Sequence, residues 1–257
     1  MPEYFSLVTK PFSHEFVMAR SMPDLFERII LDALDGDRTE HFNERDDGYA
    51  PPSSGLQYLL PHEKWHFSER EAIRLARGPV LDLGCGGGRP DVYFNTIGQE
   101  YIGIDTSPGA LDACLTRGFR KVILMSLTHL RFQPNCFKTV LMFGNNFGIP
   151  GNYDGIIDLL RDLHDLISED AIILAQSRDP KATDEPAHHQ YHEINLERGR
   201  PPGLVKFHIR YKGEVSDWID LLLCSPEEMS KLADQTVWSL KRVFGERNLY
   251  VGLLQKK

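Results

Sequence analysis

Between residues 79 and 176 short apolar runs alternate with segments whose apolar positions recur at helical spacing. Val122-Ile123-Leu124-Met125, Val140-Leu141-Met142-Phe143 and Ala171-Ile172-Ile173-Leu174 lack the in-out alternation of a half-exposed strand. Such runs are expected of parallel strands covered by helices on both faces. The pattern predicts strands over 79–83, 101–104, 121–125, 138–143 and 171–176, with helices over about 90–97, 108–116 and 153–167. That order describes a doubly wound α/β sheet.

The flanking segments break the rhythm. Ser21 and Pro23 open an amphipathic helix carrying Leu25, Phe26, Ile29, Ile30, Ala33 and Leu34. Asp35 to Ser54 is acidic and then proline-rich, the composition of an exposed loop, and its lone Tyr49 suits a lid. Ser68 and Glu71 fit a capping box for a helix running to about Arg77. Farther on, Val205, Phe207, Ile209 and Tyr211 alternate with polar residues and, with Trp218 to Leu223, predict an inserted antiparallel hairpin. Ser225-Pro226-Glu227-Glu228 then starts a helix to about Asp234, and two strands, Trp238–Phe244 and Leu249–Leu254, close the chain around a turn. The expected organisation is an N-terminal appendage or lid over 1–62 and a core over 63–257, with 178–223 inserted above the active site.

Charge and cysteine usage narrow the classes. The net charge of −8 and the scattering of 29 Lys and Arg give no phosphate-tracking footprint, so nucleic acid is not the expected partner. Cys85, Cys114, Cys136 and Cys224 form no CxxC pair, which argues against a disulfide framework or a thiolate metal site. The first residues lack the basic and apolar regions of a signal peptide, and no apolar run approaches about 18 residues. A cytoplasmic protein without membrane attachment is expected, acting as a monomer or homodimer.

The chemistry concentrates where the first strand ends, in Val80-Leu81-Asp82-Leu83-Gly84-Cys85-Gly86-Gly87-Gly88-Arg89-Pro90. Glycines there let the main chain turn with positive φ and let a ligand approach the amides. Asp105, 23 positions after Asp82, ends the second strand, where a carboxylate accepts hydrogen bonds from a ribose diol. The loop lacks the Lys and Ser or Thr of a triphosphate-binding GxxxxGK[ST] loop. A dinucleotide loop would carry Gly or Ala where Arg89 stands. A nucleoside without pyrophosphate remains.

These residues resemble the class I S-adenosylmethionine-dependent methyltransferases, in Val80 to Arg89 for the family's first motif and Gly103-Ile104-Asp105-Thr106-Ser107-Pro108 for its second. The resemblance implies a Rossmann-like seven-stranded sheet of order 3-2-1-4-5-7-6 with the last strand antiparallel. It implies S-adenosyl-L-methionine as cofactor and S-adenosyl-L-homocysteine as product. Asp82, Gly84, Cys85, Gly86 and Gly88 would line the methionine end, with Cys85 a small spacer. Asp105 would hold the ribose, Thr106 the adenine flank. Ser126 and Leu127 follow the third strand, where many relatives carry an adenine-binding Asp that this chain replaces with Ser126. Asn145 lies in Gly144-Asn145-Asn146-Phe147, which lacks the two prolines of the [DN]PP[FYW] motif of many amino-nitrogen methyltransferases. Adenine or glutamine methylation is therefore disfavoured.

On the substrate side the candidates are Tyr49, Asn145, Arg178, His188, His189 and His192. His188 and His192 would share a helical face, yet no HExxH order or cysteine partner accompanies them, and the plainer reading is a solvated loop without metal. Trp65 and Tyr49 are either covers of the cofactor or packing anchors. Arg178 and Arg210 suit an anionic substrate, but surface ion pairs are the simpler expectation. The reading is methyl transfer to an oxygen, nitrogen or sulfur of a small molecule by in-line displacement. A nicotinamide-dependent oxidoreductase and a non-catalytic S-adenosylmethionine-binding protein are the alternatives.

Overall fold

The computed structural model describes residues 25–245 and 248–257, so Ser21 and Pro23 lie outside the described residues. The described chain opens with helix α1 (Leu25–Leu34), strands β1 (Glu40–Arg45) and β2 (Pro52–Ser54) and helix α2 (Phe67–Ile73). The alternating region follows as β3 (Val80–Leu83), α3 (Arg89–Thr96), β4 (Tyr101–Asp105), α4 (Pro108–Thr116), β5 (Val122–Leu124), β6 (Phe137–Met142), α5 (Tyr153–Leu166) and β7 (Ile167–Arg178). Helix α6 (Pro186–Glu197), strands β8 (Leu204–Tyr211), β9 (Glu214–Val215) and β10 (Ile219–Leu222), helix α7 (Pro226–Asp234) and strands β11 (Trp238–Phe244) and β12 (Leu249–Lys256) complete it.

The main sheet runs β11-β12-β7-β6-β3-β4-β5. Counted from β3, this is the 3-2-1-4-5-7-6 order, and β12 lies antiparallel to β7 with Leu253 opposite Leu174. Side chains alternate between two buried layers. Leu81, Leu83, Val140, Met142 and Ile173 pack with α5 and α7. Val80, Tyr101, Leu141 and Leu174 pack with α2 and α3 on the other face. Both faces are apolar because helices cover both, which is why these strands read as unbroken apolar runs.

A second, antiparallel sheet runs β10-β8-β1-β2, with β9 paired to β8. The inserted hairpin is present, and the N-terminal segment joins it, Asn43 lying opposite Ile209. Much of the expected 35–54 loop is therefore strand. Its polarity misleads because the inward positions of β1 are His41 and Arg45, both buried, while Phe42 faces outward. Two further expectations shift. The N-cap of α2 is His66, boxed with Glu69, and the helix ends at Ile73 rather than near Arg77. The expected solvated loop around His188 is α6, a helix with little apolar surface that buries Tyr191 and Asn195.

Candidate active site

The glycine loop leaves β3 and closes on the neighbouring strand end. Gly84 and Cys85 donate their amides to the Ile104 carbonyl, both at 2.9 Å. Gly86 donates to Asp105 Oδ2 at 2.8 Å and Ser107 to Asp105 Oδ1 at 2.9 Å, so main-chain amides fix the carboxylate at the end of β4. Gly84 has a φ of +79°, and a Cβ there would stand 2.4 Å from Asn146 Nδ2. That amide instead bonds the Leu83 and Gly84 carbonyls at 2.8 and 2.9 Å. Glycine is thus demanded twice, by backbone conformation and by close approach. Gly88, also at positive φ, is the N-cap of α3.

Asp82 points to the α2 and α3 face, 2 % exposed, and accepts a 2.8 Å hydrogen bond from the Tyr101 hydroxyl. Burial raises its pKa to about 7. Among the described residues no cation forms an ion pair with it. Nearby Arg89 is held by Glu69 at 2.7 Å and lies over the Trp65 ring. Trp65 is itself buried, its indole N–H bonded to the Leu60 carbonyl, which makes it a packing anchor. A cavity of about 160 Å³ is bounded by Asp82, Gly84, Gly86 and Arg89 below and by Phe26 of α1 and Tyr58 above. Helix α1 is tied down beside it by Glu27, which accepts the Gly109 amide at the start of α4.

The turn after β6 separates this cavity from another. Gly144 and Asn146 line the first, whereas Asn145, held at φ +68°, lines a second cavity of about 330 Å³. Gln176, buried on β7, fixes the turn by accepting the Gly144 amide at 2.5 Å and the Asn145 amide at 3.3 Å. The second cavity is walled by Val205 and Phe207 of β8 and Leu221 of β10 on one side. Arg178, Tyr49, His188 and His192 meet on the other. Four residues from three distant segments, together with Asn145, thus surround one space.

Its polar groups are held differently. Arg45 is anchored to Asp47 at 2.6 Å and to the Ala187 carbonyl at 3.0 Å, stacked against Tyr191 and Tyr49. His188 Nδ1 lies 2.9 Å from the Thr183 hydroxyl. Burial lowers the pKa of both His188 and His192, favouring neutral rings near neutral pH. Arg178 departs from the expected surface ion pair, having no carboxylate partner among the described residues, whereas Arg210 pairs with Glu44 at 2.9 Å. The Arg178 guanidinium is open toward the cavity, and the surrounding protein desolvates it enough to lower its pKa.

His189, Thr106, Ser126 and Leu127 fall outside these cavities, whereas Cys85 lines the smaller one. His189 is exposed on α6, its ring 6.3 Å from that of His192. Thr106 is exposed just beyond Asp105, and the Ser126 hydroxyl bonds to Thr128 within its own turn. Leu127 packs into the main core. Cys85 is buried, and its hydrogen bond with Cys114, reinforced by burial, pushes the thiol pKa far above the usual range. It is no nucleophile. Among the described residues no group of three or more His, Cys, Asp or Glu is arranged to hold a metal ion. Arg45, Glu69 and Gln176 were not legible in sequence, because each acts through partners far away along the chain.

Residues 81–149 match the family model described as a methyltransferase domain. That segment is a methyltransferase domain by this match. The chain's fold is shared with solved structures at low identity. An S-adenosylmethionine-dependent methyltransferase from Bacteroides fragilis, in complex with S-adenosyl-L-homocysteine, superposes with a TM-score of 0.77 at 22 % identity, over 91 % of this chain and 95 % of that one. The CcbJ methyltransferase from Streptomyces caelestis gives 0.58 at 15 % identity, over 76 % and 94 %. An S-adenosylmethionine-dependent methyltransferase from Methanosarcina mazei gives 0.57 at 15 %, over 69 % and 91 %. No curated protein matches the sequence significantly. No described helix of the chain is long and apolar enough to cross a membrane.

Proposed function

We propose that the protein transfers a methyl group from S-adenosyl-L-methionine to an oxygen, nitrogen or sulfur of a small molecule held in the 330 Å³ cavity. The observation carrying this reading is that a single turn, Gly144 to Asn146, lines both cavities and so brings donor and acceptor sites to one point. The nicotinamide-dependent alternative has no support from the family match.

The residues fit the cofactor. A buried carboxylate without a cation, Asp82, stands beside glycines that leave main-chain amides accessible, which suits the ammonium and carboxylate of a methionyl group. Asp105, fixed by main-chain amides at the end of β4, is the carboxylate assigned to the ribose diol. Thr106 and the main chain at Ser126 and Leu127 are assigned to the adenine side. When bound, the sulfonium supplies an activated methyl, so the protein's work is positioning and exclusion of water.

Around the acceptor, Asn145 and the aromatic rings set orientation, and β8 and β10 keep water away. An acceptor that must lose a proton has His188 at hand. In the tautomer whose Nδ1–H donates to Thr183, Nε2 is the free base. Calorimetry on cofactor-stripped protein should show S-adenosyl-L-homocysteine binding, and labelled methyl should pass to small acceptors. Absence of binding would sink the reading, and binding without turnover on any acceptor would favour a non-catalytic role.

A further inference from the structure

Within the acceptor cavity, the fixed and the free polar groups can be told apart. Arg45 has its carboxylate, Asp47, and its stacking partners. Asp179 is turned to its own loop, where it accepts the Lys181 amide at 2.9 Å. Glu185, at the N-cap of α6, places a carboxylate rather than an anion site at that helix start. Arg178 alone faces the cavity as a guanidinium with no ion pair among the described residues, although its main chain is fixed opposite Leu249.

An exposed guanidinium that lines a cavity and has no carboxylate partner among the described residues is matched by an anion that answers its planar fork. Among the described residues lining the cavity one cation is without an ion pair, so the charge matched is single, a carboxylate rather than a phosphomonoester dianion. The same cavity is lined by Val205, Phe207 and Leu221, an apolar surface carried by the paired β8 and β10. The volume, about 330 Å³, lies at the lower end of the range for small-molecule sites.

We infer that the methyl acceptor is a small carboxylic acid with an apolar, ring-sized body, its carboxylate paired with Arg178 and its body against β8 and β10. The inference deepens the methyltransferase reading and rests on it. Arg178 is then a specificity-determining residue that anchors the end of the acceptor remote from the methylated atom.

The test uses the full chain loaded with S-adenosyl-L-homocysteine and three probe pairs, benzoate, phenylacetate and cinnamate, each beside its neutral carboxamide, followed by ligand-observed NMR titration. The acids should bind at least about tenfold more tightly than their amides. Arg178→Gln should abolish that preference while leaving the amides and S-adenosyl-L-homocysteine binding unchanged. Arg178→Lys, which keeps the charge and loses the fork, should fall between. Equal binding of acids and amides, no acid binding at millimolar concentration, or an acid preference that survives in Arg178→Gln would each overturn the inference. Failure of the cofactor reading is separate, since it shows as lost S-adenosyl-L-homocysteine binding in the unaltered protein.

Discussion

Asp82 carries a charge that the free protein relieves only in part, with one hydrogen bond from Tyr101 and a pKa raised by burial to about 7. A carboxyl whose folded pKa exceeds its unfolded value favours the protonated fold, so its contribution to stability falls as pH rises through the interval up to about 7. An ammonium beside it reverses the preference, because pairing requires the ionised form. S-adenosyl-L-homocysteine should therefore bind more tightly as pH rises from about 5.5 to about 7.5, gaining up to roughly tenfold per unit below the pKa. Asp82→Asn should flatten that profile, weaken binding about 10- to 100-fold near neutrality and leave the melting temperature at pH 8 equal or higher. A steep profile in the variant would remove Asp82 from the cofactor's ammonium. His41 titrates in the opposite sense. It is fully buried, neither ring nitrogen has a hydrogen-bond partner among the described residues, and burial lowers its pKa. Stability that depends on the neutral ring is complete above the unfolded value near 6.5 and is lost as pH falls. Melting curves should show this loss below about pH 6 and a smaller loss in His41→Leu.

Among the elements, the turn between β6 and α5 depends on a residue of a different strand. Gln176→Leu leaves the amides of Gly144 and Asn145 without their acceptor, an expected cost of about 1–3 kcal/mol. Because the turn lies between the two cavities, the loss should fall on kcat more than on KM for the acceptor. Gln176→Glu keeps an acceptor oxygen and should recover much of both, and equal effects of the two variants on kcat would refute the positioning role. The sequence made β3 to β7 legible because they are built mainly of apolar residues covered on both faces, with Asp82, Thr139, Asp105 and the Gln176 to Arg178 end of β7 the polar positions of the paired stretches. It hid β1, whose buried side chains are His41 and Arg45, and α6, whose buried side chains are Tyr191 and Asn195. Inward polar residues invert the usual pattern and are satisfied or sheltered only by tertiary partners. The proposed cofactor residues could be picked out in sequence because glycines and a strand-end Asp sit close together in the chain. The proposed acceptor residues Tyr49, Asn145, Arg178, His188 and His192 line one cavity only in the fold.

At the scale of the molecule, the second sheet joins the N-terminal segment to the insertion and carries α1 to the cavity at the glycine loop. Leu25 and Ile29 pack on Ile209 and Tyr211 of β8, Ile30 on Ala110 and Ala113 of α4, and Phe26 meets Tyr58 edge to face above the glycine loop. The cavity beneath, about 160 Å³, is smaller than the roughly 300 Å³ at which sites for drug-sized ligands begin. On the proposed reading this cavity takes the methionyl end of the cofactor, and any further room there is expected from α1, whose hold includes the cap from Glu27 to Gly109, or from the Tyr58 turn, since β3 and β4 are paired in the sheet. Hydrogen exchange should find the amides of 25–34 and 55–59 opening faster than those of β3 and β4 in the free protein. S-adenosyl-L-homocysteine should slow exchange in both segments together with the glycine loop. Phe26→Ala, which thins the cover without touching Asp82 or Asp105, should speed cofactor release with little change in melting temperature of the loaded sheet. Protection confined to the glycine loop, with α1 unchanged on binding, would show that the cover does not move to admit the cofactor.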